Sequence, residues 1–302
     1  MRTTTIAVLL LAAGIAAGQD AGKQLVFGTL ETRVLSTGSR KIRIMDPAGK
    51  ILWSCKAANA HDCWMLPNGN ILFADGQIKE IDPKTDKIVW QYKPAKTKGG
   101  GAYSCQRLPG GVTLVGENST GRVLEVDKAG KIVFEMPVKP YRPGNHHNMR
   151  MVRKLANGNY LVCHSGARVV REYTPEGKTV FEVKPGSVAF AAVRLPNGNT
   201  LVSHITRITE FDPKGKVVWT FSKTDLPDLA IGAMCGIHVL PSGNIAVGVY
   251  GAYKGGKGNG LFEITRQHKV VWRYSDPKAD RQMMSVQVLD KQGKCLPGQT
   301  LR

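Results

Sequence analysis

The chain has 302 residues, in which 42 Lys and Arg outnumber 23 Asp and Glu for a formal net charge of +19. No later apolar run approaches the roughly 20 residues of a membrane-spanning helix, which excludes an integral membrane segment in the mature chain, and six widely spaced cysteines exclude a small disulfide-stapled domain. The charge favours anionic partners, and without a nucleic-acid-binding motif these are an anionic small molecule, an anionic glycan or an envelope surface rather than nucleic acid; a lysine-rich surface that only aids solubility is the plainer alternative.

The chain opens on MRTTTIAVLLLAAGIAAG, one basic residue (Arg2) followed by an apolar run from Ile6 to Ala17 and small residues suited to cleavage. This predicts a secretory signal over 1–18, an exported (periplasmic or extracellular) protein, and one domain over 19–302. Export makes disulfides possible, and Cys55 and Cys63, which close the loop CKAANAHDC, are the expected pair; the other cysteines are expected as buried free thiols. No CxxC spacing points to a metal, and none is expected.

From residue 41 onward the sequence repeats. KIRIMDPAGKILW ends at Trp53, and the same element returns as IDPKTDKIVW at Trp90, VDKAGKIVF at Phe134, YTPEGKTVF at Phe181, FDPKGKVVW at Trp219 and ITRQHKVVW at Trp272. Between these lie LPNGN at Leu66, LPGGV at Leu108, LANGN at Leu155, LPNGN at Leu195, LPSGN at Leu240 and a degraded LDKQGK at Leu289, spaced by 40 to 49 residues. Each unit parses as an apolar strand, a tight turn at the Asn-Gly, a second strand such as NILFAD, a third ending at Asp-Pro, and a fourth carrying the aromatic residue. Four antiparallel strands in that length make one propeller blade.

The expected fold is therefore all-β, a six-bladed β-propeller. Its blades are expected at about 25–55 together with 284–302, then 61–93, 103–137, 147–184, 188–222 and 233–274, with the C-terminal strand joining the N-terminal strands to close the ring. On this reading Asp46, Asp82, Asp127 and Asp212 are turn residues, and Trp53, Trp90, Trp219 and Trp272 are packing between blades.

Residues outside the repeat are the candidates for chemistry. The position five before each turn leucine reads His61, Tyr103, Arg150, Phe190, Cys235 and Met284, variable where the scaffold is constant, and the first strand of a propeller blade lines the central channel. His61, Tyr103, His146, His147 and Arg150 approach one mouth of that channel from the first strands. Asn118, His164 and His204 approach it from the ends of second strands. Histidines with arginines can hold an anion by charge-assisted hydrogen bonds, one imidazole can act as nucleophile or base, and all can equally be satisfied polar residues on a wet channel wall. The loops 137–149 and 251–260 are longer than hairpin connections, and the second is basic and Gly-rich.

The phrases LPNGNxL and xxFDPKGKVVWTF resemble the repeats of secreted bacterial propellers of the quinoprotein-like and arylsulfotransferase groups, and HDCWMLPNGN is similar to the arylsulfotransferase pattern of a histidine placed shortly before such a turn. That resemblance implies a six-bladed ring moving a sulfuryl group between phenols through a histidine. It implies catalytic groups from His61, His147 and His204 and an anion clamp from Arg150 or Arg207. The tryptophan-docking signature of quinoprotein dehydrogenases is missing, so no cofactor is expected. Three functions stay open: an exported propeller binding an anionic ligand or envelope glycan at the channel face, a histidine-dependent sulfuryl transferase, and a scaffold for a protein partner.

Overall fold

The computed structural model describes residues 31–226, 231–251, 259–276, 278 and 285–302, together with the backbone of Leu25–Gly28. The signal segment 1–18 lies outside these residues, as do Met284 and most of the 251–260 loop. Six antiparallel sheets are ranged around a channel, five with four strands and one with five, the four blade strands in the expected order from channel to rim. The second blade, for example, runs Asp62–Met65, Ile71–Ala74, Ile78–Asp82 and Lys87–Tyr92. Ring closure also follows expectation: Val286–Val288 is the innermost strand of the sheet continued by Val34–Gly38, Lys41–Met45 and Ile51–Lys56.

One boundary differs. Leu25–Gly28, expected in the first blade, instead pairs antiparallel with the rim strand Val270–Asp276 of the last blade and makes it five-stranded. A rim strand exposes unpaired backbone groups, and a fifth strand satisfies them. In four of the other five blades the rim keeps an exposed apolar pair, such as Ile88 and Val89 or Val217 and Val218. The equivalent Val270 and Val271 beside the added strand are half-buried.

The repeat carries more than turn geometry. The turn after each first strand closes by a bond such as Gly69 N to Leu66 O (2.9 Å), and the glycine alone takes the positive φ, 87° at Gly69. The asparagine after it bridges to the third strand: Asn70, Asn159, Asn199 and Asn244 donate from Nδ2 to Glu80, Glu172, Glu210 and Glu263 at 2.6–2.7 Å. Three of these glutamates then accept an arginine from the next blade, Arg107, Arg194 and Arg266. Those guanidinium groups in turn lie over Trp90, Phe181 and Trp219, about 5 Å from the ring centres. Asn, Glu, Arg and aromatic ring thus form one clasp between blades. The turn aspartates behave as expected, Asp46 Oδ1 accepting from the backbone of Ala48 and Lys50.

The expected Cys55–Cys63 disulfide is absent; all six cysteines are free. Cys55 sits on the rim strand of one blade and Cys63 on the innermost strand of the next, so the loop between them crosses from rim to channel and separates the sulfurs radially. Burial pushes their thiols up, to about 11 and about 12.

Candidate functional site

Five of the residues five before the turn leucines, His61, Tyr103, Arg150, Phe190 and Cys235, meet on the channel axis. His61, Arg150, Phe190 and Cys235 line a cavity of about 20 Å³ together with Asp62, Met151, Gly236 and Ser285, and Tyr103 packs against the first two. That volume accommodates about one water molecule.

Above the cavity a compact group forms. Arg150 lies over the Tyr103 ring with its guanidinium carbon 5.0 Å from the ring centre, and it donates to His61 Nδ1 and His147 Nδ1, each at 3.3 Å. The His61 and Tyr103 rings are 3.9 Å apart, and the His146 ring stands 5.8 Å from His61 and 5.1 Å from His147. Tyr103 Oη donates to Gly99 O at 2.9 Å and meets His146 Nδ1. The hydrogen-bond pattern assigns the tautomers: His61 and His147 accept at Nδ1 and carry their protons on Nε2, whereas His146 donates from Nδ1 and presents a free lone pair on Nε2.

The electrostatics are those of a lone cation among neutral rings. Burial lowers the pKa of all three histidines, with Arg150 the next cause; His61 falls well below its ordinary value and His146 to about 4. Arg150 is itself buried and is lowered by that burial. Among the described residues no carboxylate is ion-paired with it, in contrast to the clasp arginines. Among the described residues Arg150 Nε and His61 Nε2 have no hydrogen-bond partner, although both atoms are buried.

Three supports position this group. The strand lengths and turns fix His61 through its N–H to Ala74 O (2.9 Å). Asn118, at the end of a second strand, donates to Gly99 O and Asn145 O at 2.7 and 2.9 Å and accepts from Met149 N at 2.8 Å, so it ties the Tyr103 loop to the His146–His147 loop. Glycine at 100 is required by close approach: with φ at 106°, a Cβ there would meet Tyr103 Oη at 1.7 Å.

The remaining candidates stand apart from the group. His164 pairs through Nε2 with Tyr173 Oη (2.8 Å), and His204 bonds Ser187 Oγ (2.8 Å) and Thr209 Oγ1 (3.1 Å) within its own blade. Burial lowers them to about 3 and about 4. Arg207 is exposed on a third strand. Among the described residues no set of three or more His, Cys, Asp and Glu is placed to hold a metal ion.

Sequence reasoning missed the charges under the site. Asp62, buried in the channel, is gripped by Arg153 at 2.8 and 3.2 Å and lies 3.9 Å from the guanidinium of Arg302. Ser285 Oγ (3.3 Å) and Cys105 N (3.2 Å) complete its contacts. At the opposite mouth, a cavity of about 350 Å³ is bounded by Trp64, Arg153, Lys154, Asn157, Arg194 and residues 299–302.

No protein-family model matches the chain, and no curated protein matches it. Solved structures do. A protein of unknown function from Bacteroides caccae superposes with a TM-score of 0.70 at 22% identity, over 85% of this chain and 99% of that one. A catalytically inactive histidine-to-alanine variant of virginiamycin B lyase from Staphylococcus aureus, with quinupristin, gives 0.55 at 15% identity over 84% and 89%. The WD40 propeller domain of Doa1 gives 0.56 at 10% over 82% and 75%. At these identities the likeness establishes the propeller fold and nothing finer.

Proposed function

We propose that this propeller is an exported protein that binds an anionic ligand, a small oxyanion or an acidic group of an envelope glycan, at the channel mouth formed by His61, Tyr103, His146, His147 and Arg150. The observation that carries the proposal is Arg150, a buried guanidinium that among the described residues has no carboxylate partner and no partner at Nε, beside a His61 Nε2 likewise without one. A desolvated cation is costly, and it is retained where a ligand supplies the opposite charge. Neutral imidazoles add N–H donors without adding positive charge, which suits an oxyanion held by hydrogen bonds around a single cation.

The test is calorimetric titration of sulfate, an aryl sulfate and an oligouronate into the wild type and Arg150→Gln. Saturable binding is expected that weakens with salt and is lost in Arg150→Gln, while the unliganded variant melts no lower than the wild type because it removes an unpaired buried charge. Binding of all three anions unchanged by the substitution contradicts it.

A second reading, histidine-dependent sulfuryl transfer of arylsulfotransferase type, is favoured by one observation: three imidazoles held neutral beside a guanidinium. Only a neutral imidazole offers a lone pair for attack. With His61 and His147 protonated on Nε2, that lone pair belongs to His146. Release of phenol from an aryl sulfate, abolished in His146→Ala, supports this reading, and binding without turnover leaves the protein a receptor.

A further inference from the structure

The channel below the histidine group is not open. It is filled by the side chain of Arg302, which is buried. Four N–H groups of the guanidinium have acceptors: Nε donates to Val286 O at 3.1 Å, Nη1 to Cys63 O and to Gln287 Oε1 (3.5 Å), and Nη2 to Ser285 Oγ at 2.6 Å, while the Asp62 carboxylate stands at ion-pair distance, 3.9 Å. The guanidinium carbon lies 4.4 Å from the centre of the Trp64 ring. An aromatic wall, a carboxylate and acceptors arranged for a planar fork are what distinguish a guanidinium from an ammonium, which is compact and has three donors.

The backbone around this side chain is held lightly by comparison. Pro297, Gly298 and Gln299 are exposed, and the segment is tied to the ring by Val239 N to Leu301 O (2.9 Å) and Arg153 Nε to Arg302 O (2.7 Å). Beside it lies the cavity of about 350 Å³, whose wall includes residues 299–302 and whose size is within the range of ligand sites. The basic side chains on that wall are already neutralised: Arg153 by Asp62, Lys154 by Glu125 and Arg194 by Glu172. The site therefore does not repel a cationic visitor as the +19 charge of the chain alone suggests.

We infer that the turn-face end of the channel is a guanidinium-binding site, filled in cis by Arg302 and able to take the arginine side chain of a peptide in its place when residues 299–302 withdraw. The acceptor set is built from two blades, Cys63 and Asp62 from one and Ser285, Val286 and Gln287 from the ring-closing segment, with Arg153 of a third blade bracing Asp62. It persists when the segment leaves, because none of those acceptors belongs to it. Arginine in the site also closes the channel beneath the small cavity that His61 and Asp62 share.

The experiment is chemical rescue in the full chain. Arg302→Ala is expected to melt below the wild type, and millimolar methylguanidinium is expected to restore part of the loss while methylammonium restores none and the wild type gains nothing. Equal effects of the two cations, or an equal gain in the wild type, overturn the inference. If Arg302→Ala does not fold, Leu301→Ala keeps the arginine and weakens only the apolar seat of the segment. A fluorescent peptide with the sequence of residues 296–302 is then expected to bind this variant about tenfold tighter than the same peptide with Lys in the arginine position, and equal binding of the two overturns the inference. The anion-binding reading is untouched by either outcome, since neither probe enters the histidine group.

Discussion

Mild acid should unfold this propeller, and the structure says through which residues. His164, His204 and His238 are buried, and burial lowers them to about 3, about 4 and about 3. In the unfolded chain each titrates near 6.5. Between 6.5 and the folded values the unfolded chain therefore binds more protons, so stability is complete above pH 6.5 and falls as the pH drops through that window. At pH 4.5 each histidine accounts for about 2.7 kcal/mol of loss, on the order of 8 kcal/mol for the three, a large share of the 5–15 kcal/mol typical of a domain. Urea unfolding followed by far-UV circular dichroism at pH 7.5, 6.0, 5.25 and 4.5 measures this directly. His238→Phe, which removes one titrating group whose Nδ1 accepts from Val288 N, should reduce the pH slope by about a sixth, because His61, His146 and His147 are lowered as well. An unfolding free energy that is flat from pH 7.5 to 4.5 refutes the reasoning, because it means that the folded chain takes up these protons as readily as the unfolded one.

Asp62→Asn should destabilise the fold by about 3–5 kcal/mol, since it leaves Arg153 and Arg302 in the channel without a carboxylate. Thermal melting should show a fall of several degrees, and an unchanged midpoint contradicts the buried network. Thiol titration should find all six cysteines reactive after denaturation without a reductant, and slow before it at Cys63, Cys105 and Cys163, where burial raises the thiols. Fewer than six in the denatured, unreduced chain indicates a disulfide and contradicts the radial separation of Cys55 and Cys63.

The fold was legible because the repeat states its own geometry. LPNGN and DPxGKxVW mark two turns and two strands at fixed offsets, and the phase between chain ends requires a composite blade. The same register located the channel: five residues before Leu66, Leu108 and Leu155 stand His61, Tyr103 and Arg150, and these side chains do meet. His204 shows where the method stops. Its place at the end of a second strand suggested the mouth, but the strand alternation turns it toward Thr209 and Ser187 of its own blade. Asp62, Arg153 and Arg302 were invisible for another reason, since Asp62 and the two arginines that meet it lie 91 or more residues apart and no local pattern encodes such pairing. The cysteine loop misled because closeness in sequence carries no information about which strand faces the rim.

On the proposed function, Arg150 and its neutral histidines receive an anion. Histidine side-chain NMR during titration with sulfate at pH 7 tests it most directly. The account predicts saturable shifts in the His61 and His147 ring signals, absent in Arg150→Gln, with His164, His204 and His238 unmoved. Shifts confined to those three buried histidines, or no saturable shift at His61 and His147 with any of sulfate, aryl sulfate and oligouronate, contradict it.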